Sequence, residues 1–173
     1  MRALDLMKGY EETPDKQLDA LVRGASLNID GWPKISVWHG SNDRTVDPSN
    51  ADAIVRQWRA LHGAEDAPTR VDMVDGYPRR VWCNSVGTDV IEEFRIPNMG
   101  HGAPLRAGGD DGYGASGDYM LEMGICSTKQ IVAFWGLSDR KGRSMKTVRT
   151  AISRAALTLS SWLGLPSRIA TGT

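Results

Sequence analysis

The sequence predicts an α/β fold, and three observations carry that prediction. KISVWHG, apolar and rich in β-branched and aromatic residues, stops at Gly40 and reads as a strand over 35–39. Ala51, Ile54, Val55, Trp58 and Leu61 then recur at helical spacing, which predicts a helix over 48–61 with one buried face. Extended pieces follow at 69–75, 79–85 and 88–96. A strand, loop, helix and strand in that order build part of an α/β sheet. In such sheets, ligands and catalytic groups gather at the carboxyl ends of the strands.

The remaining elements follow from the same reasoning. Leu4 and Met7, then Leu18, Leu21 and Val22, form two short amphipathic turns broken at Glu11-Glu12-Thr13-Pro14. Gly31-Trp32-Pro33 marks a loop. Asp47-Pro48 reads as an N-cap followed by proline at the first helical position, and Gly63 ends that helix. Pro78 and Gly87 are expected in the turns between the three extended pieces. Segment 102–119 holds six glycines and reads as a long loop, a length that in compact domains often carries function. Ile125, Ile131, Val132, Phe134 and Trp135 mark a further helix. From Ser144 to Leu163, Met145, Val148, Ile152, Ala155, Leu159, Trp162 and Leu163 share one helical face. From Arg140 onward there are seven Lys/Arg and no acid. This is a basic amphipathic helix, read as packed on the domain with a solvated basic face rather than as a membrane binder.

Composition narrows the function classes. At 173 residues the chain suffices for one domain with a sizeable core. Lys+Arg and Asp+Glu both number 21, so a dominant nucleic-acid-binding role, which needs a basic surplus, is disfavoured. No apolar run reaches membrane-spanning length, and MRALDLMKGYEETPDK has no signal-peptide apolar region. The compartment stays open. Two cysteines, Cys83 and Cys126, are too few for a disulfide scaffold, and their pairing also stays open.

Two candidate site residues sit just past strand ends: Asp43, after 35–39, and His101, after 88–96 and between two glycines. Taken singly, Asp43 in GSND reads as a turn aspartate bonding its own backbone, and His101 as a structural loop residue. Taken together they say more. A carboxylate and an imidazole at one sheet edge can pair, the acid fixing the tautomer and stabilising the imidazolium. Acid before histidine is also the chain order of the α/β-hydrolase triad. His39 reads as a strand-end packing residue or a neighbour of the oxyanion loop. His62 reads as a solvated cation at a helix C-terminus, and Glu92-Glu93 beside Arg95 as strand alternation. Trp32, Trp38, Trp58, Trp82 and Trp135 read mostly as core or cleft wall. The histidines lack zinc-ligand spacing, so neither metal nor cofactor is expected.

The string WPKISVWHGSNDRTVDPSNADAIVRQWRALHG, with NMGHGAPL and IVAFWGL, resembles the C-terminal half of the polyhydroxybutyrate (PHB) depolymerase-like esterases. The resemblance runs from about residue 3 to residue 137. It implies the C-terminal part of an α/β-hydrolase sheet with flanking helices, the nucleophile-bearing half being absent. Residues 1–140 would be the C-terminal portion of the esterase domain, and 141–173 the basic amphipathic helix and tail. The resemblance further implies carboxylic ester hydrolysis of small-molecule or polymeric esters, with Asp43 as triad acid and His101 as triad base. No serine here has glycine two residues before and two after, so the G-x-S-x-G nucleophile elbow is missing. Ser26 lies too few residues before Asp43 to accommodate strand, elbow, helix and next strand. The expectation is therefore a C-terminal piece of a longer esterase, without turnover on its own. The unpaired edge of strand 35–39 would make it prone to self-association. The alternative is a non-catalytic remnant of that fold.

Overall fold

The computed structural model describes residues 7–9, 14–27, 31–109, 112 and 114–137. The basic amphipathic helix expected over 144–163 lies outside the described residues, as does most of the first amphipathic turn. The described residues up to Trp135 form one compact unit; beyond it, only Gly136 and Leu137 are described.

Helix α1, Asp15–Ala25, begins after Pro14 and buries Leu18, while Leu21 is left exposed. Strand β1, Ile35–Gly40, is followed by a loop and then helix α2, Ser49–His62. The expected start of α2 is present in substance: Asp47 Oδ1 accepts the Ser49 N–H at 2.9 Å, and Pro48 already has helical dihedrals. Gly63 closes the helix in the left-handed conformation, its N–H donating to Ala60 O. Strands β2 (Arg70–Val74), β3 (Tyr77–Cys83) and β4 (Asp89–Ile96) come next. Two three-residue strands, β5 (Ala103–Leu105) and β6 (Met120–Glu122), pair in parallel, and helix α3, Ser127–Phe134, comes last.

The main sheet has the order β1-β4-β3-β2. β1 and β4 are parallel and in register from Ile35↔Ile91 to Gly40↔Ile96. β3 runs antiparallel to both β4 and β2. Among the described residues, β1 has a strand on one side only. Alternation sorts the core, except where a register shift at Trp82 and Cys83 leaves Val90 as an extra residue of β4 and puts it in the same cluster as Ile91. On one face, Val37, Trp82, Val90 and Ile91 pack with Ala51 and Val55 of α2. On the other, Phe94, Ile96 and Met99 pack with Ile125, flanked by Trp38, Tyr77 and Leu121.

Several expectations change in detail. Pro78 is not in the turn between β2 and β3; it lies within β3, opposite Met73. The turn is Asp75-Gly76, both with φ positive, the two-residue hairpin that an Asp-Gly pair favours. The expected 102–119 loop contains β5, whose partner β6 begins just beyond it. Cys83 and Cys126 are both free thiols. His62 is partly buried rather than fully solvated: its Nε2 lies 3.0 Å from Pro33 O, and burial pushes its pKa below the usual imidazole value.

Glu92 and Glu93 also depart from simple alternation, which would expose one of them. Their side chains are 0% exposed, because β4 is central and both its faces are covered. Each is compensated by cations and hydrogen bonds, as burial of charge requires. Glu93 meets Arg80 and Arg95 on its face. Glu92 accepts the Ser36 hydroxyl at 2.7 Å and faces Arg79 Nη1 at 3.6 Å. Burial outweighs these partners and pushes the Glu92 carboxyl above its ordinary value.

A carboxyl raised on folding stabilises the folded state less as pH rises from its unfolded value through its folded one. Glu92→Gln, which keeps an acceptor for Ser36, is therefore expected to raise the urea midpoint at pH 7. At pH 3, where the wild-type carboxyl is protonated in both states, it should leave the midpoint unchanged. A lower midpoint at pH 7 would show that the ionised form is the stabilising one.

Candidate active site

The parallel pairing of β1 and β4 ends level, so both chains leave the sheet at the same place. Their exits are joined by three hydrogen bonds. Ser41 N–H donates to Ile96 O at 2.9 Å, and Asn42 N–H to Met99 O at 3.0 Å. Asn98 N–H donates to Ser41 Oγ at 2.9 Å from a left-handed backbone conformation that asparagine tolerates. Gly40 permits this join. A Cβ on it would fall inside the backbone carbonyls of Met99 and Gly100.

Past that join stand the two residues singled out in the sequence. His101 Nδ1 lies 2.9 Å from Asp43 Oδ2. The carboxylate is an acceptor only, so Nδ1 carries the shared proton and Nε2 is the basic nitrogen of the neutral ring. Asp43 also makes the turn expected of it alone. Its Oδ1 accepts the N–H groups of Thr45 at 2.8 Å and Val46 at 2.9 Å. One oxygen builds the loop and the other holds the imidazole. Burial pushes the Asp43 carboxyl up, but the bonds from Val46, His101 and Thr45 outweigh it and leave its pKa below the usual carboxylate value. The Asp43 side chain is 7% exposed and that of His101 41%, so the acid is sheltered and the base is presented.

The pair lies in a cleft of about 390 Å³, lined by Trp38, His39, Gly40, Asp43, Val46, His101, Gly102, Ala103 and Tyr119. Trp38 stacks on Phe94 at 3.9 Å between ring centroids, and its indole N–H donates to Ser36 Oγ at 2.8 Å. Buried Glu92, through Ser36, thus fixes one wall of the cleft. Tyr119 stands edge-on to His101, centroids 6.0 Å apart, and its carbonyl accepts the Ala103 N–H.

Among the tryptophans, Trp82 is core and Trp38 cleft wall, as expected, while Trp135 is about half exposed. Tyr119 was not legible: nothing in a glycine-rich segment marks which residue returns to the site. His39, buried at the end of β1, does carry a signal, because it is in phase with Ile35 and Val37 on the face against α2. No group of three or more metal-ligating side chains occurs among the described residues. No helix among them is long and apolar enough to cross a membrane.

No protein-family model matches the chain. It is 39% identical over 131 residues to poly(3-hydroxyalkanoate) depolymerase C of Paucimonas lemoignei, covering 75% of this chain and 31% of that protein. It is 34% identical over 85 residues to the acetylxylan esterase of Coprinopsis cinerea, covering 48% and 22%. It is 31% identical over 80 residues to the probable acetylxylan esterase A of Aspergillus terreus, covering 46% and 24%. The matched stretch thus spans less than a third of each relative.

If the Gly40 approach holds the join together, Gly40→Ala should act on the site as well as the fold. The expected cost is about 1–3 kcal/mol for overpacking, read as a lower urea midpoint. The His101 imidazole resonance should also move toward that of the unfolded chain. An unchanged resonance would place the join elsewhere.

Proposed function

We propose, on the premise that this chain belongs to the PHB depolymerase and esterase family, that it supplies the acid and base of a serine carboxylesterase triad. The observation that carries this reading is the 2.9 Å bond between Asp43 and His101 at the carboxyl ends of adjacent parallel strands. In the proposed reaction, His101 Nε2 takes the proton of a serine hydroxyl as its oxygen attacks the ester carbonyl carbon. The tetrahedral intermediate collapses, and the leaving alcohol takes that proton from Nε2. Water then repeats the sequence on the acyl-enzyme, releasing the acid and restoring the serine. Asp43 orients the ring and stabilises its cationic form throughout.

The serine and the oxyanion donors come, in this reading, from outside these 173 residues, in which no G-x-S-x-G elbow occurs. Residues 1–140 are then the C-terminal portion of an α/β-hydrolase domain, and the open side of β1 is where the preceding part of the sheet adds. In the isolated chain that edge invites self-association. The relatives' names specify polyhydroxyalkanoate and acetylated xylan, so the proposed substrate is a small or polymeric ester, held against the walls of Trp38, Val46 and Tyr119. The missing elbow favours a second reading, a non-catalytic remnant of the fold.

Hydrolysis of p-nitrophenyl butyrate separates the two. The 173-residue chain is expected to be inactive. The same chain expressed with its upstream reading frame, including a G-x-S-x-G segment, is expected to turn over. There, Asp43→Asn should lower kcat by on the order of 10⁴, and His101→Ala at least as much. Activity indifferent to both substitutions would remove the triad assignment. An upstream frame without the elbow, and without activity, would establish the remnant.

A further inference from the structure

Asp43 has a second imidazole beside it. His39, whose side chain is 9% exposed, places Nε2 at 3.9 Å from Asp43 Oδ2, the same oxygen that bonds His101. Its Nδ1 lies 2.9 Å from Gly40 O. A carbonyl oxygen only accepts, so Nδ1 carries a proton and is committed to the backbone. That leaves Nε2, which is buried and has no hydrogen-bond partner. In the neutral ring it turns a lone pair toward a carboxylate, which is unfavourable. In the cationic ring it turns an N–H toward that carboxylate, a favourable charge interaction across 3.9 Å.

We propose that His39 is a positioning residue that shares Asp43 with His101, so that the protonation of each imidazole is felt by the other through one carboxylate oxygen. The proposal rests on the Asp43–His101 pair of the proposed function but not on turnover. The charged groups around His39 support it. Asp43 and Asp47, on the loop after β1, both interact with it electrostatically. On β4 its register partner is Arg95, whose guanidinium is engaged by Glu93, by Asp52 of α2 and by Pro48 O. The neighbouring cation is therefore already neutralised, while two carboxylates face the ring. When His39 is charged, Asp43 stabilises a second cation and His101 is a weaker base. When His39 loses its proton, the full carboxylate charge acts on His101. The two nitrogens nearest Asp43 Oδ2 are within about 7 Å of each other, so mutual repulsion of the two cations is substantial even at high effective dielectric.

The sequence makes this measurable, because it holds three histidines. Imidazole resonances of the 173-residue chain are followed by NMR from pH 4.5 to 9 in the unmodified protein and in His39→Gln, His101→Gln and His62→Gln. His39→Gln is expected to raise the His101 midpoint by on the order of half a pH unit. By reciprocity, His101→Gln should raise the His39 midpoint by a similar amount, and His62→Gln should move neither. The unmodified chain supplies a readout that needs no variant to fold: the His101 resonance should titrate in two steps, one at the midpoint of His39. A His101 curve with one step and no response to His39→Gln, or a His39 that never titrates in this range, would overturn the proposal. His39→Lys, which keeps a cation that does not titrate in this range, should give a single His101 step at a midpoint below that of His39→Gln; a midpoint equal to that of His39→Gln would overturn the charge coupling. Ester hydrolysis by the extended protein reports separately on the triad and is independent of these curves.

Discussion

Everything at this site depends on the parallel pairing of β1 with β4. Two strands that run the same way and finish level deliver their following loops to one end of the sheet. An antiparallel pair would send the second loop to the opposite end, more than a strand length away. Given that geometry, three hydrogen bonds and the bare α-carbon of Gly40 suffice to clamp the exits together. The acid and the imidazole then need no long reach to meet. A parallel pair also requires a connection that crosses the sheet face, which here is α2, followed by the β2–β3 hairpin.

The central position of β4 imposes the second constraint. A strand flanked on both sides and covered on both faces has no solvent side, so two consecutive glutamates cannot both be comfortable without partners. Glu93 is met by Arg80 and Arg95, and Arg95 extends that pairing to Asp52 on α2. Glu92 is met by Ser36 and Arg79, and Ser36 passes the constraint to the indole of Trp38. Buried charge in this protein therefore links the sheet to its covering helix on one face and to the cleft wall on the other. Such pairs are poor evidence of net stability, since desolvation offsets much of their attraction.

Much of this was legible in the residues. β1, α2 and β4 announced themselves through apolar periodicity, because each buries one face or both against a neighbour. Asp43 and His101 were marked by position, just past strand ends, and by the resemblance that their loops carry. What failed to show was of two kinds. The Asp75-Gly76 turn was present as a local signal but was overshadowed by Pro78, a residue that β3 accommodates as the partner of Met73. The burial of Glu92 and Glu93, the placement of Tyr119 and the short β5–β6 pair were not local at all. They depend on which strand lies in the middle of the sheet and on where a glycine-rich segment returns. His39 falls between these cases: its phase with Val37 indicates burial, but its nearness to Asp43 requires the loop to fold back.

The separation of β1 from β4 along the chain has a kinetic consequence. Asp43 and His101 are 58 residues apart in sequence, while β2, β3 and β4 are joined by short turns. Ordering a long intervening segment before any pairing rewards it is slow, whereas hairpins close quickly. The meander of β2, β3 and β4 is therefore the natural early structure, with β1 added last against the remaining side of β4. On that route the acid and the imidazole come together only in the final docking step. Conditions or substitutions that slow β1 docking would leave a chain rich in strand yet lacking its Asp43–His101 pair.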